Sequence, residues 1–216
     1  MRKIIAYAIL GISFLLIYGS AFASIFINVE YELNSNIILF SLFFNLIIMF
    51  IFPLIFIYLY YGGNVFERLY FRKEGILKSI FFGFLTTISF IFLAGVILYL
   101  SGYEEENPLA EEIGKNLGIA HLILIPLLSS LSEETFYRGL IQMQLEKKAG
   151  FLFSLIFTSF LFALAHVEYG TLLQIILPFF FSIFLGFLIH KFKNIFAPLS
   201  AHFLYNFISL AIFLYK

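Results

Sequence analysis

Seven stretches of this chain carry no charged residue: 4–29, 33–66, 79–103, 116–132, 149–165, 169–189 and 194–215. Each is mainly apolar, and a helix crossing the hydrocarbon core of a bilayer needs roughly 17–25 such residues. The stretches 116–132 and 149–165 lie at the short limit. A soluble domain would interrupt runs like these, because about a quarter of its residues are normally charged. Here 12% are charged and 62% are hydrophobic. The expected fold class is therefore all-α: a polytopic transmembrane helical bundle of about seven spans, forming a single membrane domain over residues 1–216.

Basic residues orient such a bundle. If each run crosses once and the N-terminus is cytoplasmic, the cytoplasmic segments hold Arg2, Lys3, Arg68, Arg72, Lys73, Lys78, Arg138, Lys147, Lys148, Lys191 and Lys193. The other side keeps Lys115 and Lys216. This asymmetry follows the positive-inside rule and predicts an N-in, C-out protein of the cell membrane. The start of the chain imitates a signal peptide, with Arg2 and Lys3, an apolar run and Ala21-Phe22-Ala23. That run continues to residue 29, too long for a usual signal core, so it reads as an uncleaved first span.

Several classes of function fall away. Net charge is zero, which argues against a nucleic-acid partner. Without cysteine the chain has no disulfide framework, thiolate metal site or cysteine nucleophile. The longest loop, 102–115, reads as a solvated turn or a short surface helix, so no soluble domain is expected.

The informative residues are the polar ones inside apolar runs. An ionisable side chain in hydrocarbon costs roughly 2.5–3.5 kcal/mol on translocon scales, so such groups usually face the bundle interior. The set comprises Glu133, Glu134, Arg138, His166, His202 and Asn206, with His121, His190 and Asn45 as lesser cases. Glu134 and Arg138 are four residues apart with the acid first, the favourable order for a helical ion pair. Glu133 is rotated about 100° away and lacks a local partner. Read separately, each group has a plain explanation. The charged trio could mark the end of the fourth span, His166 an interface, and His202 with Asn206 an interhelical hydrogen-bonded pair. Taken together, an acid, two histidines and an amide from three spans suit one shared polar pocket. Its inventory suits hydrolysis, with a glutamate as general base toward water and His plus Asn as donors toward an oxyanion.

Those residues carry a resemblance. "EETFYR", "FALAH" and "HFLYN" fit the patterns EExxxR, FxxxH and HxxxN, in that order on successive apolar segments. Over roughly 116–210 the chain thereby resembles the CPBP (Abi/CAAX) intramembrane metalloprotease family, which includes the type II CAAX prenyl endopeptidases. The resemblance implies that Glu133 and His166 bind and activate a water, and that His202 and Asn206 stabilise the oxyanion. It further implies that Glu134 pairs with Arg138 and that Phe162 lines the site. The implied partners are the lipid bilayer and a peptide or lipidated protein substrate, a prenylated CAAX tail being one case. No tightly bound cofactor is expected; zinc is the alternative, held by Glu133, His166 and His202 with an open position.

Other intramembrane proteases do not match. No histidine begins an HExxH, the chain has no Asp, and Gly11-Ile12-Ser13 has no convincing partner for serine chemistry. A membrane scaffold or immunity protein of the same fold is a rival class, as is a transporter, although no internal repeat supports the latter. One difficulty concerns depth. Measured along straight helices from the basic clusters, Glu133 lies about 21 Å deep, His166 about 27 Å, His202 about 13 Å and Asn206 about 19 Å. Tilt, a kink at Pro198, or a segment 139–150 lying shallow at the surface would be needed to bring them level.

Overall fold

The computed structural model describes residues 1–26, 34–103, 118 and 120–214. Most of the 102–115 loop, with its acidic residues, lies outside the described residues, as do Glu30, Glu32 and Lys216. Among the described residues the chain is helical throughout, without strands. The helices are α1 (Arg2–Phe26), α2 (Ser35–Leu46), α3 (Phe52–Tyr61), α4 (Val65–Arg68), α5 (Ile76–Ser101), α6 (His121–Glu134), α7 (Met143–Ala149), α8 (Phe151–Leu164), α9 (Leu173–Phe192) and α10 (Phe196–Leu214).

Two π segments join helices into longer rods, and each has a local cause. Ile47–Ile51 links α2 to α3 just before Pro53. A proline lacks the N–H that would bond the carbonyl four residues back and its ring crowds that carbonyl, so the ladder widens there. Thr135–Gln142 links α6 to α7. Upstream of it, Ser132 Oγ donates to Leu128 O and Thr135 Oγ1 donates to Leu131 O, both at 2.7 Å. Such hydroxyl back-bonding competes with the helical ladder and bends it.

Five helical stretches are long and apolar enough to cross a bilayer: Arg2–Phe26, Ser35–Tyr61, Ile76–Ser101, Phe151–Tyr169 and Leu173–Phe192. The remaining two of the seven apolar runs fall on a shorter apolar helix, Phe196–Ile212, and on the α6–α7 rod. These two carry most of the polar motif. The protein is an integral membrane protein. Its outer faces display Leu77, Phe81, Phe92 and Leu100 of α5 and Phe40 and Phe43 of α2, all exposed, as lipid-facing helices require.

The interior is built around α10. On one side α5 runs parallel to it at very close range. Thr87 Oγ1 donates to Ala201 O at 2.7 Å, Phe90 packs edge-on against Tyr205, and Gly83 faces Ala197, Ser200 and Ala201. Small residues let helix backbones approach where no hydrophobic effect drives association. A methyl group at Gly83 would meet the Ser200 hydroxyl and the α10 backbone, including Ala201 N at 3.0 Å. We expect Gly83→Ala to lower the thermal midpoint in detergent by an amount equivalent to about 1–3 kcal/mol of overpacking; an unchanged midpoint would contradict this packing.

At one end of the bundle, the turn after α9 is clamped to the loop before α5. Lys193 adopts φ +48°, and buried Asn194 donates through Nδ2 to Arg72 O and Glu74 O, both at 3.0 Å. Ile195 N donates to Tyr70 O at 2.8 Å. The same loop sends Leu69 inward until its carbonyl would lie 3.1 Å from a Cβ at Gly139. Gly139, Leu140, Gln142 and Met143 are therefore core, while residues 147–150 are exposed. The π segment turns the former into the bundle rather than along its surface.

Candidate active site

The α6 hydroxyl stretch ends at Glu133 and Glu134, where the α ladder gives way to the π segment. Glu134 sits at the centre of the site. Its Oε2 lies 3.2 Å from Arg138 Nε, and both side chains are 0% exposed. Its Oε1 accepts from His202 Nδ1 at 2.8 Å. The pairing of Glu134 with Arg138 is thus the ionic contact that the four-residue spacing predicted. Its geometry is not that of a directed hydrogen bond, since both Glu134 Oε2 and Arg138 Nε lack one. The guanidinium also lies 4.7 Å from the centroid of the Phe162 ring and 5.8 Å from that of Tyr137. A desolvated cation gains from such π faces.

Glu133 differs from its neighbour in every respect that matters for chemistry. Its Oε2 stands 3.9 Å from His202 Nε2, too far for a hydrogen bond. Its side chain is 19% exposed. The same imidazole therefore faces Glu134 with one nitrogen and Glu133 with the other, bonded on one side and open on the other.

One turn further along α10, Asn206 Nδ2 donates to Ser129 Oγ at 3.0 Å. Ser129 lies one turn before Glu133 on α6. The two rungs, 133/134 with 202 and 129 with 206, show that α6 and α10 run antiparallel in contact. That alignment sets both oxyanion candidates along the helix that carries both acids. Ser129 went unnoticed in the sequence because three serines crowd positions 129–132, and nothing distinguishes one hydroxyl among them.

His166 joins the site from the end of α8. Its Nδ1 bonds Phe162 O at 2.8 Å. A carbonyl only accepts, so that nitrogen carries the proton and Nε2 of the neutral ring keeps its lone pair. The imidazole packs on Phe162 (centroids 4.7 Å apart), and Phe162 packs edge-on against His202 at 5.7 Å. Tyr169 stacks on the other side of His166 at 6.0 Å. The structure thus brings Glu133, Glu134, Arg138 and His202 together by polar contacts, with Asn206 bonded one turn away to Ser129, while His166 reaches them through Phe162.

Two further polar partners were not anticipated. Tyr137, fully buried, shares a 3.3 Å hydrogen bond with Tyr18, whose hydroxyl also reaches Leu161 O at 3.1 Å. This ties α1 into the core, through Ala6, Ile17 and Ala21 as well. The other is Ser182 of α9, whose Oγ accepts from Arg138 Nη2 at 3.0 Å. It is the only polar side chain between Gln174 and His190 in an otherwise apolar run, a signal legible in retrospect.

The alternative zinc set does not fit. Among the described residues no three His, Cys, Asp or Glu side chains form a group able to hold a metal ion.

Comparison with known proteins adds one finding. Residues 115–208 match the family model described as type II CAAX prenyl endopeptidase Rce1-like, a segment that contains every residue of the site from Glu133 to Asn206. No curated protein and no solved structure matches the chain.

Proposed function

We propose that this chain, whose residues 115–208 fall in the type II CAAX prenyl endopeptidase Rce1-like family, is an intramembrane endopeptidase that cleaves a membrane-associated substrate with a glutamate-activated water. The observation that carries the reading is the unequal pair of acids. Glu134 is neutralised and buried, whereas Glu133 is partly exposed and makes no hydrogen bond to His202. A carboxylate kept free at a polar site can take a proton from water.

The steps follow from the atoms. A water held by Glu133 and the Nε2 lone pair of His166 attacks the scissile carbonyl carbon, and its proton passes to Glu133. Negative charge develops on the carbonyl oxygen, where His202 Nε2–H and the second Asn206 Nδ2–H donate. Donors aimed at developing charge in a dry site stabilise the transition state most. For His202 to donate from Nε2 while Nδ1 donates to Glu134, its ring must be the imidazolium. Glu133, Glu134, Arg138 and His202 then sum to zero charge, so the buried site is neutral. The C–N bond breaks as Glu133 returns its proton to the leaving amine. The substrate class follows from the family: a lipidated tail, with a prenylated CAAX sequence as the first to try.

The test is cleavage of a fluorogenic farnesylated CAAX peptide and a panel of membrane peptides by the purified protein in detergent, beside Glu133→Ala. The expected result is cleavage of at least one peptide by the wild type and none by the variant. Equal cleavage by both would sink the mechanism, and no cleavage of any peptide would favour a non-proteolytic scaffold.

A further inference from the structure

The α6–π–α7 rod and α9 run parallel, and their polar contacts repeat with a constant offset. Arg138 Nη2 donates to Ser182 Oγ at 3.0 Å, Gln142 Nε2 donates to Gly186 O at 2.9 Å, and Glu146 Oε1 meets His190 Nδ1 at 2.9 Å. Each partner is 44 residues further along the chain. One turn separates successive rungs on both helices, so this is one continuous polar seam. Its outer end is at Glu146, where Lys193 also donates at 2.8 Å. Its inner end is the Arg138–Glu134–His202 chain of the site.

The innermost rung is unusual. Arg138 is fully buried, yet Nε and Nη1 have no hydrogen-bond partner among the described residues. The contact with Glu134 is ionic but undirected, and the aromatic faces of Phe162 and Tyr137 set no orientation in the plane of the guanidinium. The bond to Ser182 is thus the directed side-chain contact that fixes the rotation of the group. We propose that Ser182 is a positioning residue, resting on the hydrolytic reading above. It orients Arg138, which holds Glu134, which holds His202 Nδ1 and so aims Nε2 at the oxyanion.

The rest of the seam supports a positioning role by making α9 a rigid rail. Gln142 reaches the Gly186 carbonyl because Gly186 has no side chain. A Cβ there would lie 2.9 Å from Gln142 Oε1 and also meet Leu155. Ser182 is 1% exposed, with no route to substrate of its own. Its influence has to pass through Arg138.

The experiment uses the full-length protein in detergent with whichever peptide the wild type cleaves, comparing Ser182→Ala, Ser182→Thr and Ser13→Ala. Ser13 is equally buried but bonds Ile9 O of its own helix, so it controls for a lost buried hydroxyl. The expected result is a roughly tenfold or larger fall in kcat for Ser182→Ala with KM within about twofold, partial recovery in Ser182→Thr, and wild-type kcat in Ser13→Ala; a well-aimed oxyanion donor is worth at least that much. Wild-type kcat in Ser182→Ala would overturn the proposal while leaving the hydrolytic reading intact. A second measurement does not depend on activity. Ser182 and His202 share no hydrogen bond, so independent residues would lower the thermal midpoint additively. If they act through one relay, Ser182→Ala and His202→Ala together lower it by less than the sum of the single variants. An additive result overturns the relay whether or not a substrate is cleaved.

Discussion

Glu133→Gln is expected to abolish cleavage while the protein stays folded. The substitution keeps the size and shape of the side chain and removes its basicity. General-base catalysis is typically worth about 10²–10⁴-fold. In the proposed reaction the same group also returns the proton to the leaving amine, so we expect the loss in kcat to lie at the upper end of that range. The structure says why stability should survive. Among the described residues Glu133 makes no hydrogen bond, its Oε2 is 3.9 Å from His202 Nε2, and it is the partly exposed member of the acid pair. An amide there leaves Glu134 still paired with Arg138 and His202. The check is kcat beside the thermal midpoint of the same preparation. A variant that retains a tenth or more of wild-type turnover would remove Glu133 from the reaction; one that lost activity only by unfolding would make it structural.

Arg138→Met is expected to have the opposite profile, a loss of the fold before a loss of chemistry. The guanidinium is fully buried against Glu134, also fully buried. Removing one partner of a buried ion pair leaves an uncompensated charge and costs about 3–5 kcal/mol. Most of the stability of an ordinary domain lies within reach of such a loss. The expected readout is a sharply lower thermal midpoint and yield. Because replacing both partners with apolar groups is often neutral or stabilising, Glu134→Leu with Arg138→Met should recover much of the midpoint. It should not recover turnover, since His202 Nδ1 would have lost its acceptor. If Arg138→Met alone proved as stable as wild type, the ion pair would not be what holds these helices together.

The two expectations separate adjacent residues, Glu133 and Glu134, that look alike in "SEETFYRGL". Their difference was partly legible in the chain. Four-residue spacing put Glu134 beside Arg138, and helical rotation carried Glu133 away from it. The spacing did not show that Glu134 would also bind His202, 68 positions later, at 2.8 Å. Ser129 and Ser182 were not legible as partners of Asn206 and Arg138, because a serine in an apolar helix ordinarily bonds its own backbone, as Ser13 and Ser132 do here. The course of the chain after Glu134 was not legible either. Hydroxyl back-bonding at Ser132 and Thr135 bends the ladder where the π segment begins, and Gly139, Leu140 and Gln142 within it are buried.

The linear sequence by itself determined the class of molecule and picked out the polar residues that stand apart in its apolar runs. Long uncharged runs leave a chain little choice but helices in lipid, and the cost of an ionisable group in hydrocarbon singles out the few that are there. Tertiary structure alone decided how those residues share the work. Whether a carboxylate is neutralised or left free depends on which helices lie within about 4 Å of it, and no sequence spacing carries that. The antiparallel register of α6 with α10 and the parallel register of the α6–α7 rod with α9 gave Glu134 its second partner, His202, gave Arg138 its serine, and left Glu133 open.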